Sequence, residues 1–481
     1  MTSMLAFQRN LNLIDGAWVE ADSRQSIDVT NPATGAVIGT VPNSGTVETR
    51  RAIEAAERAF HVWRNVTAAE RAEKMRKLAG LIEKHKEELA ILLTTEQGKA
   101  LAEARGEIGS CANYILWFAE EARRVYGDVV PSPWPGRRIL VTREPVGVVA
   151  AITPWNFPSL MLARKIGAAL AAGCSVVAKP ATQTPYSALA WGLLAEEAGI
   201  PNGVVNVVTG SASAIGGELT TNPLVKKITF TGSTGVGKML MAQASGTMKR
   251  LSMELGGNAP FIVFDDADLD AAVEGAIMSK FRNSGQTCVC ANRFLVQSGI
   301  YDAFTEKFSK AIAALKVGNG MEAATTNGPL IDTKAVEKVE EHIADAVAKG
   351  AKIVMGGKRH ALGGSFFEPT LMTGITPSMA VAREETFGPL APMFRFETEA
   401  QAIAMANDTE FGLAAYAYTR DLGRTFRVLE GLNYGQVGIN AGLITTEVAP
   451  FGGVKESGMG REGSKYGLDD YLNIKYGCLA L

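Results

Sequence analysis

The sequence predicts an α/β protein made of two parallel-sheet lobes, and three observations carry that expectation. From about residue 145, short apolar β-rich runs alternate with alanine-rich helical stretches; the alternation restarts after Glu254-Leu-Gly-Gly257; and 481 residues are too many for one small core. Alternation of this kind gives βαβ units with right-handed crossovers, and so parallel sheets flanked by helices.

The elements follow in chain order. Residues 45–100 read as helices, because Ile53, Ala56, Phe60 and Trp63 share one face and Thr67-Ala-Ala-Glu70 forms a capping box ahead of Met75, Leu78, Ala79 and Ile82. The first strand series is Val146–Ile152, Ser175–Ala178, Val204–Val208 and Lys227–Phe230, with helices near 160–171, 185–198 and 212–220. Ligands to such a sheet bind beyond the carboxyl ends of its strands, where Thr153-Pro-Trp-Asn156, Lys179-Pro180, Thr209-Gly210 and Thr231-Gly-Ser233 fall. The second series is Pro260–Phe264, Arg293–Val296, Lys352–Met355, Ala391–Phe396 and Gln436–Ile439, with helices at 301–315 and 333–349. The boundary at 254–257 carries an acid and two glycines, and lobe boundaries are where concave pockets most often form. Arg137–Arg143 and the C-terminal segment read as strand-like pieces outside both series, suited to self-association.

Composition excludes several classes. The formal net charge is -2 with both signs interspersed, which leaves no basic stripe for nucleic acid or an anionic membrane. Cys111, Cys174, Cys288, Cys290 and Cys478 are odd in number and lack metal-ligand spacing, so neither a disulfide framework nor a metal site is expected, and a reducing compartment is. No leader-like apolar run opens the chain and no stretch approaches bilayer-spanning length, so a cytoplasmic protein is expected. His61, His85, His342 and His360 lie far apart in charged contexts and read as solvated surface.

Gly285-Gln-Thr-Cys-Val-Cys290 places a thiol beside backbone amides in a glycine-opened turn, with Arg282 just upstream. A cation and an open approach favour a thiolate nucleophile; a buried structural cysteine is the competing reading. The GxGxxG turn of dinucleotide-binding folds does not follow the strand at 146–152. Gly232-Ser-Thr-Gly-Val-Gly-Lys238 opens a helix instead, like a phosphate-binding loop, but Met239 replaces the hydroxyl that would hold magnesium. ATP hydrolysis is therefore the weakest reading, while a pyrophosphate at that helix N-terminus remains attractive.

Seven motifs taken together, Pro154-Trp-Asn-Phe-Pro158, Lys179-Pro180, Phe230-Thr-Gly-Ser-Thr234, Met253-Glu-Leu-Gly-Gly-Asn258, Gly285-Gln-Thr-Cys288, Glu384-Glu-Thr-Phe-Gly-Pro389 and Pro450-Phe-Gly-Gly453, occur in the order and spacing of the aldehyde dehydrogenase superfamily. The chain resembles it over essentially its whole length, and the strings around Cys288, 258–268 and 460–467 are similar to its succinate-semialdehyde dehydrogenase branch. The resemblance implies an aldehyde dehydrogenase-like fold of two Rossmann-like lobes. Residues 1–123 and 143–254 would bind the cofactor, 255–459 would form the catalytic domain, and 124–142 with 460–481 the oligomerisation arm of a homotetramer, or of a dimer.

The implied activity is oxidation of succinate semialdehyde to succinate through a thioester on Cys288. Glutarate semialdehyde is the same-fold alternative, and a catalytically silent nucleotide-binding or structural protein is the alternative of another class. Asn156 and a backbone amide would stabilise the oxyanion, and Glu254 would be the general base, against local readings as a turn-forming Asn and a hinge ion pair. The presence of Cys288, Glu254 and Asn156 together argues against a silent protein. Thr153, Pro154, Trp155, Lys179, Pro180, Ala181, Thr182, Gly210, Phe230, Thr231, Gly232, Ser233 and Leu255 would line the cofactor, with Glu385 on the nicotinamide ribose and Phe387 beside the ring. Thr182 is uncharged where an acid would select NAD, so NADP is expected, with NAD possible. Arg164 and Arg282 match positions that bind the substrate carboxylate in the branch, joined by Thr445 or Thr446. Cys288 and Cys290 resemble a redox pair, with a packed, inert Cys290 as the even alternative.

Overall fold

Continuous apolar runs become strands covered on both faces. Val148–Ile152 and Ser175–Lys179 are buried at every residue, as central parallel strands between helical layers must be. In the computed structural model, which describes residues 6–481, they belong to an eight-stranded sheet. Its order is Gly458–Met459, Arg250–Glu254, Val225–Thr231, Val148–Ile152, Ser175–Lys179, Val205–Val207, Asn12–Ile14 and Ala17–Val19. The strands from Arg250–Glu254 to Val205–Val207 run parallel, and both edges are antiparallel. The second sheet has seven strands, in the order Lys352–Met355, Thr370–Thr373, Leu390–Phe396, Ala291–Gln297, Ala259–Val263, Ala414–Tyr418 and Gln436–Ile439, parallel except for the Lys352–Met355 edge.

The two alternating series are therefore two parallel sheets, with local differences. Ala414–Tyr418 is alanine-rich yet forms a fully buried strand, because pairing on both sides overrides propensity. Arg250–Glu254 is a strand that carries Glu254 at its carboxyl end, beside Thr231 in the register. Lys352–Met355 is an exposed antiparallel edge rather than a parallel strand. Val146 stays outside its strand because its N–H donates to the Tyr471 carbonyl at 3.0 Å. His342 is buried, not solvated: its Nδ1 lies 3.0 Å from Thr386 Oγ1.

Helices Thr46–Trp63, Ala68–Lys84, Lys86–Gln97 and Leu101–Glu121 pack around the first sheet. The Thr67 box forms, with Glu70 N donating to Thr67 Oγ1 at 3.2 Å and Thr67 N to Glu70 Oε2 at 3.3 Å. Ile53 and Trp63 are fully buried, each such side chain contributing roughly 1.5–3 kcal/mol. Helix Pro158–Ala172 starts on a proline, ends at Gly173 with φ +94°, and is buried at every residue. It thereby carries Arg164 and Lys165 into the interior, and buried cations must find partners there. Asp128–Val130, Arg137–Pro145 and Leu472–Ala480 form a separate antiparallel sheet, exposing Val129, Ile474 and Tyr476. Among the described residues no helix is long and apolar enough to cross a membrane, and no group of His, Cys, Asp or Glu could hold a metal ion.

Candidate active site

The segment before Cys288 is held in a strained shape. Asn283, Ser284 and Gly285 have φ of +49°, +55° and +78°, a conformation that costs a non-glycine residue about 1–3 kcal/mol. Neighbours over-determine it. Asn283 N donates to Glu103 Oε1 at 2.9 Å, Ser284 Oγ to the Gly328 carbonyl at 2.7 Å, and a Cβ on Gly285 would lie 2.2 Å from the Gly388 carbonyl oxygen. The outcome is a fixed turn that delivers Cys288 to the space between the sheets.

Two cavities meet at Cys288. The first, about 210 Å³, is bounded by Pro154, Trp155, Asn156, Thr231, Gly232, Ser233, Glu254, Leu255, Glu385 and Phe387. The second, about 250 Å³, is bounded by Phe157, Arg164, Arg282, Thr445 and Phe451 with the Glu103 and Glu107 face of helix Leu101–Glu121. Cys288 and Met161 border both, so a molecule in either chamber can touch the sulfur.

Asn156 is buried, and its Nδ2 donates to the Gln286 carbonyl at 3.1 Å, which leaves its second N–H for another acceptor. The Cys288 thiol differs from the expectation. Burial pushes its pKa up to about 12, Glu385 and Glu254 add to the rise, and Arg164 and Arg282 only partly oppose it. In the free protein the sulfur therefore carries its proton, because two arginines do not offset desolvation and two carboxyls.

Glu254 is buried and neither carboxyl oxygen has a hydrogen-bond partner among the described residues. Burial raises its pKa well above 4.5, the Glu462 carboxylate raises it further, and Lys165 and Arg164 work the other way. Lys165 donates to Thr231 Oγ1 at 2.7 Å and to Glu462 Oε1, forming a buried chain behind Glu254. The sequence reading contains neither Lys165 nor Glu462. The signal was present, since Arg164-Lys165 are the only charges in an otherwise apolar helix.

The sites expected to line a cofactor divide into two groups. Pro154, Trp155, Thr231, Gly232, Ser233, Leu255, Glu385 and Phe387 border the first chamber, with Trp155 and Phe387 edge to face at 5.4 Å. Thr153, Lys179, Pro180, Ala181 and Thr182 stand at the neighbouring strand ends, Thr153 N donating to the Lys179 carbonyl at 3.1 Å. Gly210 and Phe230 do not border the chamber. A Cβ on Gly210 would meet Ser44 N at 2.3 Å, so a close backbone approach explains that glycine, and the Phe230 ring packs over Gly232. Lys238 of the loop-like sequence pairs with Glu456 at 2.8 Å on the surface.

The donor set fits a nucleotide. Lys179 is buried and, among the described residues, donates only to the adjacent Pro180 carbonyl, and burial lowers its pKa to about 8. Glu385 accepts a single bond, from Gly257 N at 3.3 Å, and burial raises its pKa to about 7. Lys179 gains from an anionic or hydroxyl-rich ligand, and Glu385 from a hydroxyl donor.

In the second chamber Arg164 is buried against Phe451 and Tyr114, with its charge centre 4.2 and 5.0 Å from the ring centroids. Glu462 lies 3.6 Å away, and Nε and Nη1 make no hydrogen bond. Arg282 sits over Phe157 at 5.3 Å. Thr445 borders this chamber, whereas Thr446 Oγ1 turns to Glu447 Oε2 at 3.3 Å.

The model of the aldehyde dehydrogenase family matches residues 18–476. The chain belongs to that family. It is 65% identical over 466 residues to the glutarate-semialdehyde dehydrogenase of Pseudomonas aeruginosa, covering 97% of this chain and 96% of that protein. It is 60% identical over 473 residues to the NADP(+) succinate-semialdehyde dehydrogenase of Escherichia coli, covering 98% of each. The crystal structure of succinate-semialdehyde dehydrogenase from Burkholderia pseudomallei superposes with a TM-score of 0.98 at 61% identity, covering 99% of each chain.

In this aldehyde dehydrogenase, Cys290 faces inward. It is buried, its sulfur lies 3.2 Å from Lys280 Nζ, and both it and Cys288 are free thiols. The protonated state of Cys288 sets an expected pH profile. Inactivation of the free protein by iodoacetamide should accelerate about tenfold per pH unit from pH 7 to 10. A plateau at the ordinary thiol pKa, near 8.5, would contradict the raised value.

Proposed function

We propose that this protein oxidises a short aldehyde bearing a terminal carboxylate, succinate semialdehyde first of all, to the dicarboxylic acid with NADP through a thioester on Cys288. The observation that carries the reading is the buried Arg164 guanidinium, two of whose nitrogens lack partners in the chamber behind the sulfur. An anionic tail there is bound by charge-assisted hydrogen bonds, with Arg282 and Thr445 beside it, and directs the aldehyde carbon toward Cys288.

The sulfur adds to the carbonyl carbon as its proton passes to solvent, and Glu254, which borders the first chamber, is kept for the second half-reaction. The carbonyl oxygen takes up negative charge, met by the second Asn156 N–H and the Cys288 amide. A nicotinamide held by Trp155, Glu385 and Phe387 would supply the acceptor for the hydride that leaves the tetrahedral carbon. Glu254 takes a proton from the attacking water, the C–S bond breaks, and Glu254 passes that proton to the leaving sulfur, so that Cys288 regains its thiol and Glu254 its carboxylate. The Lys165–Glu462 pair stays behind Glu254 throughout.

Support for NADP comes from the uncharged Thr182 and the under-used Lys179 ammonium, and from the NADP(+) relative in Escherichia coli. Glutarate semialdehyde is the second reading, favoured by the 65% identity to the Pseudomonas aeruginosa enzyme, and one methylene is worth only about 1–3 kcal/mol in a pocket. The residue ranges given above serve as cofactor-binding domain, catalytic domain and arm, and the exposed apolar side chains of the three-stranded sheet suit it to a tetramer or dimer of a cytoplasmic protein. A regulatory Cys288–Cys290 disulfide is less well supported, since Cys290 must first leave Lys280.

Arg164→Ala is expected to raise KM for succinate semialdehyde by about 10²-fold or more, the equivalent of losing one buried charge-assisted contact of 2–5 kcal/mol, with little change for an uncharged aldehyde such as butanal. Steady-state kinetics on succinate, glutarate and uncharged aldehydes test this. Equal losses on all three would refute carboxylate recognition by Arg164.

A further inference from the structure

Asn156 is held from behind. Its carbonyl accepts from Lys99 Nζ at 2.7 Å and from Asn283 Nδ2 at 3.0 Å. Lys99 stands in the turn before helix Leu101–Glu121, with no exposed side-chain surface. Its three N–H groups have three acceptors: the Asn156 carbonyl, Glu107 Oε2 at 2.7 Å, and the face of Phe157, whose centroid is 3.7 Å from Nζ. The other Glu107 oxygen accepts the N–H groups of Ser159 and Leu160, both at 3.0 Å. One ammonium–carboxylate pair thus fastens residues 156–160 to a helix of the outer layer. Glu103, midway between them at i+4 spacing, accepts Asn283 N and so secures the second support of the same carbonyl.

A buried ion pair is weak evidence for stability, because well-packed apolar residues often do as well. What apolar residues cannot do is grip a carbonyl and orient its peptide. We propose that Lys99 is a positioning residue for the oxyanion donor: with Glu107 it fixes the Asn156 peptide so that the side-chain amide faces the substrate oxygen. The proposal rests on Asn156 donating to that oxygen, as argued above. Lys99 itself touches no reacting atom.

Displacement of a catalytic group by about 1 Å costs on the order of 10²-fold in rate. Lys99→Met is therefore expected to lower kcat for the semialdehyde about 10²-fold, leaving KM for NADP unchanged. The loss should be confined to Asn156: Lys99→Met/Asn156→Ala should be no slower than Asn156→Ala alone. Glu107→Gln, close to the parent in shape, is the second variant should Lys99→Met fail to fold, and it should show the same non-additivity. Wild-type kcat in folded Lys99→Met or Glu107→Gln would overturn the proposal, as would losses that multiply in the double variants. Wild-type kcat in Asn156→Ala would instead overturn the role of Asn156 and the proposal with it.

Discussion

Cys288→Ser should lose semialdehyde oxidation by roughly 10⁴-fold or more. The hydroxyl is a far weaker nucleophile, and the site offers no substitute: among the other cysteines, Cys111, Cys174 and Cys290 are buried and Cys478 lies on the terminal strand. Cofactor binding should survive, because Cys288 only floors the chamber whose walls are Trp155, Ser233, Leu255 and Phe387. Thermal stabilisation by NADP, which follows RT ln(1 + [L]/Kd), measures that independently. Retention of both binding and turnover in the serine variant would remove Cys288 from the chemistry.

Glu254→Gln should separate the two halves of the reaction. Glutamine keeps the shape but cannot take a proton from water, so reduced cofactor should appear only up to about one equivalent per site, followed by a steady state on the order of 10²–10⁴-fold slower. The thiol proton can reach solvent slowly during that single turnover, whereas thioester hydrolysis must wait for a base at every cycle. Rapid-mixing absorbance of reduced cofactor reads the burst. A variant that slows both phases equally would show that Glu254 serves the first step as much as the second.

The same substitution carries a stability consequence of definite sign. Folding raises the Glu254 pKa above 4.5, through burial and the Glu462 charge. The native state therefore holds a proton that the unfolded chain has released, and stability falls as pH climbs from about 4.5 toward the raised value. Glutamine removes this penalty. Its Tm at pH 7 should equal or exceed that of the parent, so lost activity cannot be put down to unfolding.

Much of this was legible in the residues because it is local. Val148–Ile152 and Ser175–Lys179 are apolar runs of the right length between turn residues, and Cys288, Asn156 and Glu254 sit in motifs at strand ends. Ala414–Tyr418 was not legible, because its strand state comes from neighbours on both sides. The partners of Lys99 and Lys165 were hidden for a related reason. The Asn156 carbonyl is 57 residues from Lys99 and Glu462 is 297 from Lys165, so only the fold brings them together. His342 shows the same effect, reading as a charged-helix histidine but bonding the loop that carries Glu385 and Phe387. The raised pKa of the Cys288 thiol is not legible from Arg282 six residues upstream, because burial, and after it the charges of Glu385 and Glu254, act on the sulfur only in the folded protein.

The most direct test of a thioester on Cys288 is the mass of that cysteine's peptide. Glu254→Gln would be mixed with succinate semialdehyde and NADP, quenched in acid during the burst, and digested. The account predicts one succinyl group on the peptide carrying Cys288, formed only with the cofactor present and absent from Cys288→Ser. A burst of reduced cofactor with an unmodified Cys288 peptide would mean that the aldehyde is oxidised without a covalent intermediate on this sulfur.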